Sequence, residues 1–343
     1  MEIIKINIDD FDNLDTLLSI TNWSEINTLW GVGPVAPLHL GYDSLIVLQK
    51  KILEKNPHRH FLIMADIHAI LSHKFSWQDI RERCYYYEYY FRETCNLKNC
   101  DYVLGSYFQT RADYIEELYS VMGQISLNNV KDSLPTSTKK NETIPASIAI
   151  YPLMQCLDIF HLKANLVIAE KGQEKIYELC RKFGDYKIYR IGMETKLKAT
   201  KGKLIFLYIP TSHDIQGNPL IQSTTNTRIS IHDNESTLIS KINNMYAPPY
   251  DQKIIEGRVN AVLEFFKYSV FPWFKESVSI ENINNGIIKY DKFRDLEDNY
   301  NKGLHTPQEL KRVLQLYLWK RLSSIQDSLA NGIDSWIDKT KLK

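Results

Sequence analysis

The 343-residue chain has no long apolar run, and this absence excludes one class of protein at once. A helix that crosses a bilayer needs about 20 consecutive, mostly apolar residues, so we expect no membrane-spanning segment. The first residues also lack the basic stretch followed by an apolar stretch that marks a secretory signal peptide. The sequence therefore predicts a protein that neither enters a membrane nor is secreted.

An excess of charge of one sign is also absent, since the chain has 42 Lys and Arg residues and 41 Asp and Glu residues. The formal net charge of the chain is +1. A nucleic-acid-binding domain is usually recognisable by an excess of positive charge. Total charge therefore supplies no argument for binding to RNA, although it leaves a local basic patch open.

Cysteine is sparse, and its spacing excludes the common zinc-binding patterns. The five cysteines form no CxxC pair and are Cys84, Cys95, Cys100, Cys156 and Cys180. Cys95 and Cys100 have no second pair with which to complete a zinc site. Because disulfides are rare in a reducing cytosol, we expect free thiols, no bound metal and a cytoplasmic location.

Apolar, β-branched runs alternate with helical patterns through the first two thirds of the chain. Four such runs predict buried strands, at 61–65, 102–104, 166–168 and 203–210. Apolar residues at helical spacing lie between them, at 43–54 and 174–183. This alternation predicts an α/β fold with an open parallel sheet, which binds ligands at the carboxyl ends of its strands.

From about residue 248 the pattern becomes helical. Thr306, Pro307 and Glu309 form a strong helix start, with a capping hydroxyl, proline at the first helical position and an acidic partner. Apolar residues then recur at helical spacing up to Leu329. We therefore predict two domains, an α/β domain at 1–247 and a smaller, all-helical domain at 248–343.

The stretch from Gly31 to Tyr42 reads Gly-Val-Gly-Pro-Val-Ala-Pro-Leu-His-Leu-Gly-Tyr. It predicts a glycine-rich turn that enters a helix whose first residues are His-Leu-Gly-Tyr. Glycine allows the backbone to approach a phosphate closely. The free N–H groups and positive dipole end of a helix N-terminus attract the same anion. The stretch therefore indicates an anion-binding or nucleotide-binding turn.

A second stretch, from Ala149 to Ile159, predicts a helix with one polar stripe. Tyr151, Gln155 and Asp158 are spaced so that they share one face, while the remaining residues are mostly apolar. A buried carboxylate without a partner is costly, so the stripe must be satisfied by other groups. An internal hydrogen-bond network and a pocket for a polar small molecule, which Gln173 would complete, both meet this requirement.

The first stretch resembles the His-Ile-Gly-His element of class I aminoacyl-tRNA synthetases. In more detail the chain is similar to the tyrosyl-tRNA synthetases of the archaeal and eukaryotic type, in register from the glycine turn nearly to the C-terminus. The matching motifs are Ala65–Ala69 (Ala-Asp-Ile-His-Ala), Gly105–Gln109 (Gly-Ser-Tyr-Phe-Gln), and Tyr151–Gln155 (Tyr-Pro-Leu-Met-Gln) followed by Asp158. This is the resemblance on which the expectations below depend.

The resemblance implies a Rossmann-like catalytic domain followed by an anticodon-binding-like helical domain. Within the first domain it places a connective or dimer insertion at about 107–145 and a KMSKS-like loop at about 213–227. The family is usually a symmetric dimer, so a homodimer is expected. It also implies a tyrosine or tyrosine-like amino acid, ATP with Mg²⁺, and tRNA as partners.

The resemblance also implies roles for single residues. Three of them hold the amino group of the amino acid, namely Tyr151, Gln155 and Gln173. Asp158 accepts a hydrogen bond from the phenol, and three further residues complete the amino-acid site, namely Gln109, His68 and Leu29. His39 is the candidate catalytic residue, and the candidate ATP-binding residues are Gly31, Gly33, His39, Gly41, Ser223 and Thr224.

In the helical tail, the resemblance places Glu309 where the family reads the tRNA anticodon with a carboxylate, and Lys311 beside it. The residues themselves offer another interpretation, because Glu309 also completes the capping box that begins with Thr306. Both interpretations stand at this point.

Four departures from the family pattern affect function. Tyr42 replaces the second histidine of the first motif, and no Lys or Arg lies within 218–227, where the family has a lysine. Leu29 takes the place of a phenol-binding tyrosine, and around Gln173 the usual Gln-Arg neighbourhood is reduced to that glutamine. The losses fall mainly on the ATP side, where cationic groups lower the barrier to activation.

Three hypotheses follow from this uneven pattern. The first is a divergent tyrosyl-tRNA synthetase that forms tyrosyl-adenylate and transfers tyrosyl to tRNA. The second is a repurposed paralogue that couples an activated amino acid to a small-molecule amine, or receives it from aminoacyl-tRNA. The third is a catalytically silent protein that binds an amino acid or tRNA.

Overall fold

The computed structural model describes residues 3–7, 20–72, 75–134, 145–185, 187–190, 193–196, 204–209, 212–220, 225–282, 286–330 and 332. The contacts between Cα atoms divide the chain into two compact units. Of the described residues, the first unit contains those up to Ala36 and those from Gln49 to Ile209. The second unit contains Pro37–Leu48 and the described residues from Ser212 to Gly332. Each unit is described separately below.

The first unit is built on a six-stranded sheet in which every pairing is parallel. The strands of this unit, in chain order, are β1 (Ile3–Asn7), β2 (Asn27–Val32), β3 (Arg59–Met64), β4 (Asp101–Leu104), β5 (Leu166–Glu170), β6 (Lys187–Arg190), β7 (Met193–Lys196) and β8 (Leu204–Ile209). Strands β6 and β7 form a separate antiparallel hairpin. The four predicted strands are confirmed as β3, β4, β5 and β8, and the predicted α/β fold with a parallel sheet is confirmed.

The strand order in the sheet is β1-β8-β5-β2-β3-β4. The chain therefore extends from β2 in one direction through β3 and β4, and in the other direction from β5 through β8. The order reverses between β2 and β5, and ligands of open α/β sheets bind at the carboxyl ends of the strands at such a reversal. The topology alone therefore places the candidate site at the carboxyl ends of β2 and β5.

Helices connect these strands. They are α1 (Asp43–Leu53), α2 (Asp66–Ser72), α3 (Trp77–Tyr89), α4 (Gly105–Gln109), α5 (Ala112–Met122), α6 (Leu127–Ser133), α7 (Ala146–His161) and α8 (Glu174–Leu179). Both predicted helices are confirmed, as α1 and as α8, and a 3₁₀ turn at Cys180–Asp185 continues α8. The division between the two units falls within α1, after Leu48. The predicted insertion at about 107–145 contains α5 and α6, and its residues 135–144 lie outside the described residues.

Helix α7 forms part of the core of the first unit because most of its length is apolar. Leu153, Leu157 and Phe160 are almost fully buried and belong to one cluster with side chains of β2, β3 and β5. Burial of one such side chain contributes roughly 1.5–3 kcal/mol. The apolar face therefore fixes the rotation of α7, and with it the direction in which its polar stripe points.

The second unit contains α9 (Glu235–Asn243), α10 (Ala261–Phe265), the strands β9 (Val278–Asn282) and β10 (Gly286–Tyr290), α11 (Phe293–Asn301) and α12 (Pro307–Ala330). The helical C-terminal region is confirmed, with one correction, since it is not all helical. β9 and β10 pair as an antiparallel hairpin. Val278 and Ile280 alternate with more exposed residues in β9, which is the two-residue period of a half-buried strand.

The boundary between the two units differs from the predicted domain boundary at 247. Residues 212–247 belong to the second unit, together with the short stretch Pro37–Leu48. Backbone bonds explain this grouping, because Leu40 N donates to Ile229 O at 3.0 Å and Ile231 N donates to Leu38 O at 3.2 Å. A change from mixed to helical sequence pattern does not report such pairing between distant segments.

Two predictions made from absences can be compared with the structure. Among the helices within the described ranges, none combines the length and hydropathy needed to cross a bilayer. All five cysteines are free and buried.

Candidate functional site

A cavity of about 100 Å³ lies in the first unit at the carboxyl ends of β2, β3 and β5. Its lining residues are Leu29, Gly31, Gly33, Ile63, Ala65, His68, Tyr151, Gln155, Asp158, Val167, Gln173 and Tyr177. The cavity therefore lies at the reversal of strand order, where the topology places a ligand. It brings together eight of the residues predicted from the sequence, with Gln109 hydrogen-bonded to one of them.

The polar stripe of α7 faces this cavity as predicted. Tyr151, Gln155 and Asp158 lie at i, i+4 and i+7 of the helix and all line the cavity. The alternative of a purely internal network is partly right, since several of these groups also bond to neighbouring side chains. The stripe is thus both anchored by the protein and open to a cavity.

Asp158 lies at the most enclosed part of the stripe, with a relative exposure of 4%. Gln109 Nε2 donates to both of its carboxylate oxygens at 2.9 Å, and Tyr114 OH donates to Oδ1 at 2.7 Å. Burial raises the pKa of Asp158 to about 7, against the opposing effect of the bonds from Gln109 and Tyr114. Near neutral pH the carboxyl is therefore poised between its charged and neutral forms.

Tyr114 is a site residue that the sequence analysis missed. Its side chain is fully buried, and its hydroxyl also donates to the carbonyl of Met154 at 3.2 Å. A signal was present, because Tyr114, Leu118 and Val121 form the buried face of α5. A tyrosine on such an apolar stripe needs a partner for its hydroxyl, and that partner is Asp158.

Gln155 is oriented by a second residue that was not predicted, Tyr177. Gln155 Nε2 donates to Tyr177 OH at 2.7 Å. Its other amide atom, Oε1, is buried without a hydrogen-bond partner among the described residues. One amide N–H is used by Tyr177, and the oxygen is available as an acceptor in the cavity. Gln173 precedes the first residue of α8 and lines the same cavity.

His68 lies in the first turns of α2, directly after β3, and is 5% exposed. Burial lowers the pKa of His68 to about 4, while the main chain of Tyr151 acts in the opposite direction. The imidazole is therefore neutral at neutral pH. No side chain of the described residues bonds to its ring nitrogens, and its ring meets that of Tyr151 edge to face at 4.7 Å.

The start of α4 is held against the start of α2. Asp66 Oδ1 accepts from the N–H groups of Ile67 and Ser106 at 2.9 Å. Gly105 is required at this junction, because a Cβ there would lie 2.6 Å from Gln109 Oε1 and 2.8 Å from Asp66 Oδ1. This close approach places Gln109 next to Asp158.

Leu29 and two glycines form the strand side of the cavity. Leu29 is 4% exposed and contributes no polar atom to the cavity. Gly31 lies within β2 and not in a turn, which corrects the predicted glycine turn at this residue. A Cβ at Gly31 would meet no atom within 4 Å, so the missing side chain leaves open space beside the strand.

The second half of the predicted nucleotide-binding stretch, residues 37–42, belongs to the second unit. Leu40–Tyr42 form a 3₁₀ turn and α1 begins at Asp43, so the α-helix starts four residues later than predicted. His39 precedes this turn and its ring stacks on that of Tyr42, with centroids 4.7 Å apart. A Cβ at Gly41 would lie 2.8 Å from His39 Nδ1, so glycine permits this packing.

His39 is 8% exposed, and its Nδ1 has no hydrogen-bond partner among the described residues. Burial, helped by the charge of Arg228, lowers the pKa of His39 to about 3. The ring is therefore neutral at neutral pH and can donate or accept a hydrogen bond without carrying charge. Ser223 and Thr224, the other predicted ATP-binding residues, lie outside the described residues.

The predicted tRNA-binding residues lie at the start of α12. Thr306 N and Glu309 N form the capping box, since Thr306 N donates to Glu309 Oε2 at 2.7 Å and Glu309 N donates to Thr306 Oγ1 at 3.2 Å. Glu309 is only 5% exposed. Lys311 Nζ donates to the carbonyl of Asn243 at 2.8 Å. Both side chains thus have structural partners within the second unit.

The chain is similar to known proteins along most of its length. The model of the family described as tRNA synthetases class I (W and Y) matches residues 21–323. The tyrosine–tRNA ligase of Methanopyrus kandleri is 27% identical over 304 residues, which are 88% of each chain. That of Halobacterium salinarum is 30% identical over 292 residues, or 83% of each chain.

Among solved structures, the tyrosyl-tRNA synthetase of Archaeoglobus fulgidus in complex with L-tyrosine has a TM-score of 0.77 and 25% identity. The match covers 93% of this chain and 94% of that one. The matched family model spans both units, and the parallel sheet with a helical C-terminal region is the class I fold. The chain therefore belongs to the tyrosyl-tRNA synthetase family of class I tRNA synthetases.

Proposed function

We propose that the cavity of the first unit binds tyrosine or a tyrosine-like amino acid and that the protein activates it with ATP. The observation that carries this proposal is the stripe of α7, which lines the cavity with Tyr151, Gln155 and Asp158. Gln155 Oε1, which is buried and has no partner within the part of the chain that the structure describes, belongs to this stripe. An unsatisfied buried acceptor costs roughly 1–3 kcal/mol, so a ligand that donates to it is favoured.

The amino group of the ligand is assigned to the end of the stripe near Gln155. The bond from Gln155 Nε2 to Tyr177 uses one of the two amide N–H donors, and the Oε1 acceptor has no partner among the described residues. An ammonium group donates hydrogen bonds and accepts none, so it matches this orientation. Tyr151 and Gln173 line the same cavity and supply further polar atoms.

The side chain of the ligand is assigned to the end near Asp158. A phenol that donates to Asp158 would favour the charged carboxylate and lower its pKa from about 7. Because Leu29 offers no polar atom, recognition of a hydroxyl would rest on Asp158, held by Gln109 and Tyr114. A site built to bond a hydroxyl discriminates strongly against the analogue that lacks it.

The class I synthetase family generally uses ATP and Mg²⁺, and the proposed reaction follows that chemistry. A carboxylate oxygen of the amino acid attacks the α-phosphorus of ATP, the bond from that phosphorus to the bridging oxygen breaks, and pyrophosphate leaves. The proposed nucleotide-binding residues are those that the sequence resemblance implies, among them Gly31, Gly33, His39 and Gly41. Within the described ranges no three His, Cys, Asp or Glu side chains could hold a metal, which fits a Mg²⁺ that arrives on the phosphates.

The burial of Glu309 and its bonding to Thr306 favour a second candidate function. This carboxylate is buried in the capping box and occupied by Thr306, so it does not present itself to an anticodon. The second candidate is a repurposed paralogue that passes the activated amino acid to a small-molecule amine, or takes it from aminoacyl-tRNA. A tRNA partner, contacted through Lys311 or elsewhere, remains part of the first candidate.

A homodimer and a cytoplasmic location complete the proposal. Four large apolar or aromatic side chains are exposed in or beside the predicted insertion, namely Tyr107, Tyr119, Met122 and Leu127. Clustered exposed side chains of this kind mark interaction surfaces. Five free thiols fit a reducing compartment.

The test is exchange between pyrophosphate and ATP, measured with each amino acid in turn, together with calorimetric binding of tyrosine alone. We expect tyrosine-dependent exchange and tyrosine binding, both lost in Gln155→Leu and retained in the control Gln78→Leu, which changes an exposed glutamine of α3. Binding without exchange would restrict the function to a silent or tRNA-fed protein. Absence of binding to every amino acid would refute the proposed site.

A further inference from the structure

The second unit pairs two distant segments at the nucleotide motif. Leu40 N donates to Ile229 O, Ile231 N donates to Leu38 O, and His39 and Ser230 form an antiparallel bridge. Arg228 directly precedes Ile229, whose carbonyl accepts the bond from Leu40. The segment that follows the KMSKS-like loop is therefore fixed to the turn that begins after His39.

The guanidinium of Arg228 is held at this turn by a hydrogen bond to the neighbouring loop. Its Nη2 donates to the carbonyl oxygen of Leu220 at 3.2 Å. The side chain of Leu220 in turn lies 3.2 Å from the position that a Cβ of Gly41 would occupy. These contacts place the charge of Arg228 beside the motif, and its effect on the pKa of His39 agrees with that placement.

The backbone of Arg228 is fixed by a second basic residue whose own charge is paired. Lys241 Nζ donates to the carbonyl of Arg228 at 2.7 Å and to the carboxylate oxygens of Asp233 at 2.7 and 2.8 Å. Lys241 is thereby committed to positioning the segment. The Arg228 side chain instead bonds to the carbonyl of Leu220, and its charge acts on His39.

His39 supplies a polar group at the same place but no charge. Its Nδ1 is buried without a partner among the described residues, and its ring is covered on one face by Tyr42. A neutral imidazole can donate one hydrogen bond to an anion but cannot neutralise it. No Lys or Arg occurs from 218 to 227, so any cation at this turn must come from outside the loop.

We propose that Arg228 is the catalytic residue that binds the phosphate oxygens of ATP and of the departing pyrophosphate, in place of a loop lysine. The inference rests on the proposed function. When the bond from the α-phosphorus to the bridging oxygen breaks, its electron pair passes to pyrophosphate, whose charge rises. A guanidinium presents two parallel N–H groups to phosphate oxygens and stays charged at every working pH.

The experiment measures calorimetric binding of Mg·ATP and the rate of pyrophosphate exchange on the full chain. The variants are Arg228→Met, Arg228→Lys and the control Arg294→Met, which changes an exposed arginine of α11. We expect Arg228→Met to weaken ATP binding about 10-fold or more and to slow exchange on the order of 100-fold. Arg228→Lys restores part of both, and tyrosine affinity stays unchanged in all three.

The two readouts separate failure of this inference from failure of the proposed function. Equal ATP affinity in the native protein and Arg228→Met, or no ATP binding by the native protein, would overturn the role of Arg228. Exchange that is unaffected by Arg228→Met would do the same while leaving the proposed activation intact. Arg228-dependent ATP binding without exchange would support the role of Arg228 and refute the activation.

Discussion

The two units treat their predicted site residues differently. In the first unit, eight predicted residues line one cavity, and Asp158 and Gln155 are each oriented by a neighbouring tyrosine. In the second unit, His39 of the predicted motif stacks on Tyr42. The predicted loop has no Lys or Arg at 218–227. The residues proposed to recognise the amino acid all lie in the first unit, whereas His39 and Gly41 lie in the second, so the two groups can be altered separately.

Burial acts on both sites in the same sense, since it favours the neutral form of a titratable group. It raises the pKa of Asp158 to about 7 and lowers that of His39 to about 3. A bound phenol would stabilise the charged form of Asp158, whereas a bound phosphate would raise the pKa of His39. The ligand of the first site thus favours the charged form of Asp158. At the second site His39 is neutral, so a separate cation is needed to neutralise a phosphate.

The largest expected effect comes from Asp158→Asn, which alters the first site alone. We expect a preference for tyrosine over phenylalanine of about 100-fold or more to fall close to 1, because the hydroxyl acceptor is lost. Gln109 Oε1 has no hydrogen-bond partner among the described residues, so that amide can turn to bond to the new side chain. Competition binding of the two amino acids measures the effect.

The control for that change is Asp113→Asn, which removes an acidic residue of α5 that pairs with Arg111 outside the cavity. It should leave both affinities unchanged. Equal binding of tyrosine and phenylalanine by the native protein would show that Asp158 does not recognise a hydroxyl.

The sequence was sufficient for the elements that local patterns define. The alternation of apolar runs predicted the parallel sheet, and the spacing of Tyr151, Gln155 and Asp158 predicted their common face. The partners of these groups could not be predicted, because Tyr114 and Tyr177 reach them across helix contacts. Tyrosines on apolar stripes are usually core residues, and only the packing shows which ones bond to a site residue.

The β9–β10 hairpin and the boundary between the two units could not be predicted from the sequence for a similar reason. β9 and β10 are short, and their stability depends on pairing that no single strand reports. The pairing of Leu38 and Leu40 with residues near Ile229 joins positions almost 200 residues apart, which local periodicity cannot detect. The role proposed for Arg228 was not predicted either, because this residue lies one position after the predicted loop at about 213–227. Its proximity to the motif depends on the same long-range pairing.

The next effect contrasts two glycines, one in each unit. Gly41→Ala places a Cβ 2.8 Å from His39 Nδ1, so the ring must shift, and we expect ATP binding to weaken about 10-fold. Gly31→Ala meets no atom within 4 Å, so the melting temperature should hardly change. Its methyl group enters the cavity, and tyrosine binding should weaken instead.

Calorimetry with each ligand and thermal melts of both variants measure this contrast. Tyrosine affinity should survive Gly41→Ala. An equal loss of tyrosine binding in the two variants would contradict the separation of the sites.

A smaller effect is expected from Tyr114→Phe, which removes the hydroxyl that bonds to Asp158 at 2.7 Å and to Met154. The pKa of Asp158 should rise further, because that bond holds it down. We expect a loss of stability of about 1 kcal/mol and weaker tyrosine binding by about 3- to 10-fold near neutral pH. Tyr119→Phe, at an exposed position of the same helix, is the control.

The smallest effects are opposite pH slopes of stability in the two units. Since the pKa of Asp158 is raised in the folded state from 3.8 to about 7, its contribution is present at low pH and lost as pH rises through that range. The pKa of His39 is lowered from 6.5 to about 3, so its contribution is present above 6.5 and lost as pH falls.

Relative to the native protein, Asp158→Asn should therefore gain stability as pH rises from about 4 to about 7, by at most roughly 1.4 kcal/mol per pH unit. His39→Gln should gain stability as pH falls below about 6.5. Urea unfolding of the native protein and both variants across this range measures the two slopes. Slopes of the same sign would mean that burial does not set the charge of both groups, because burial alone acts on an acid and a base in opposite directions along the pH axis.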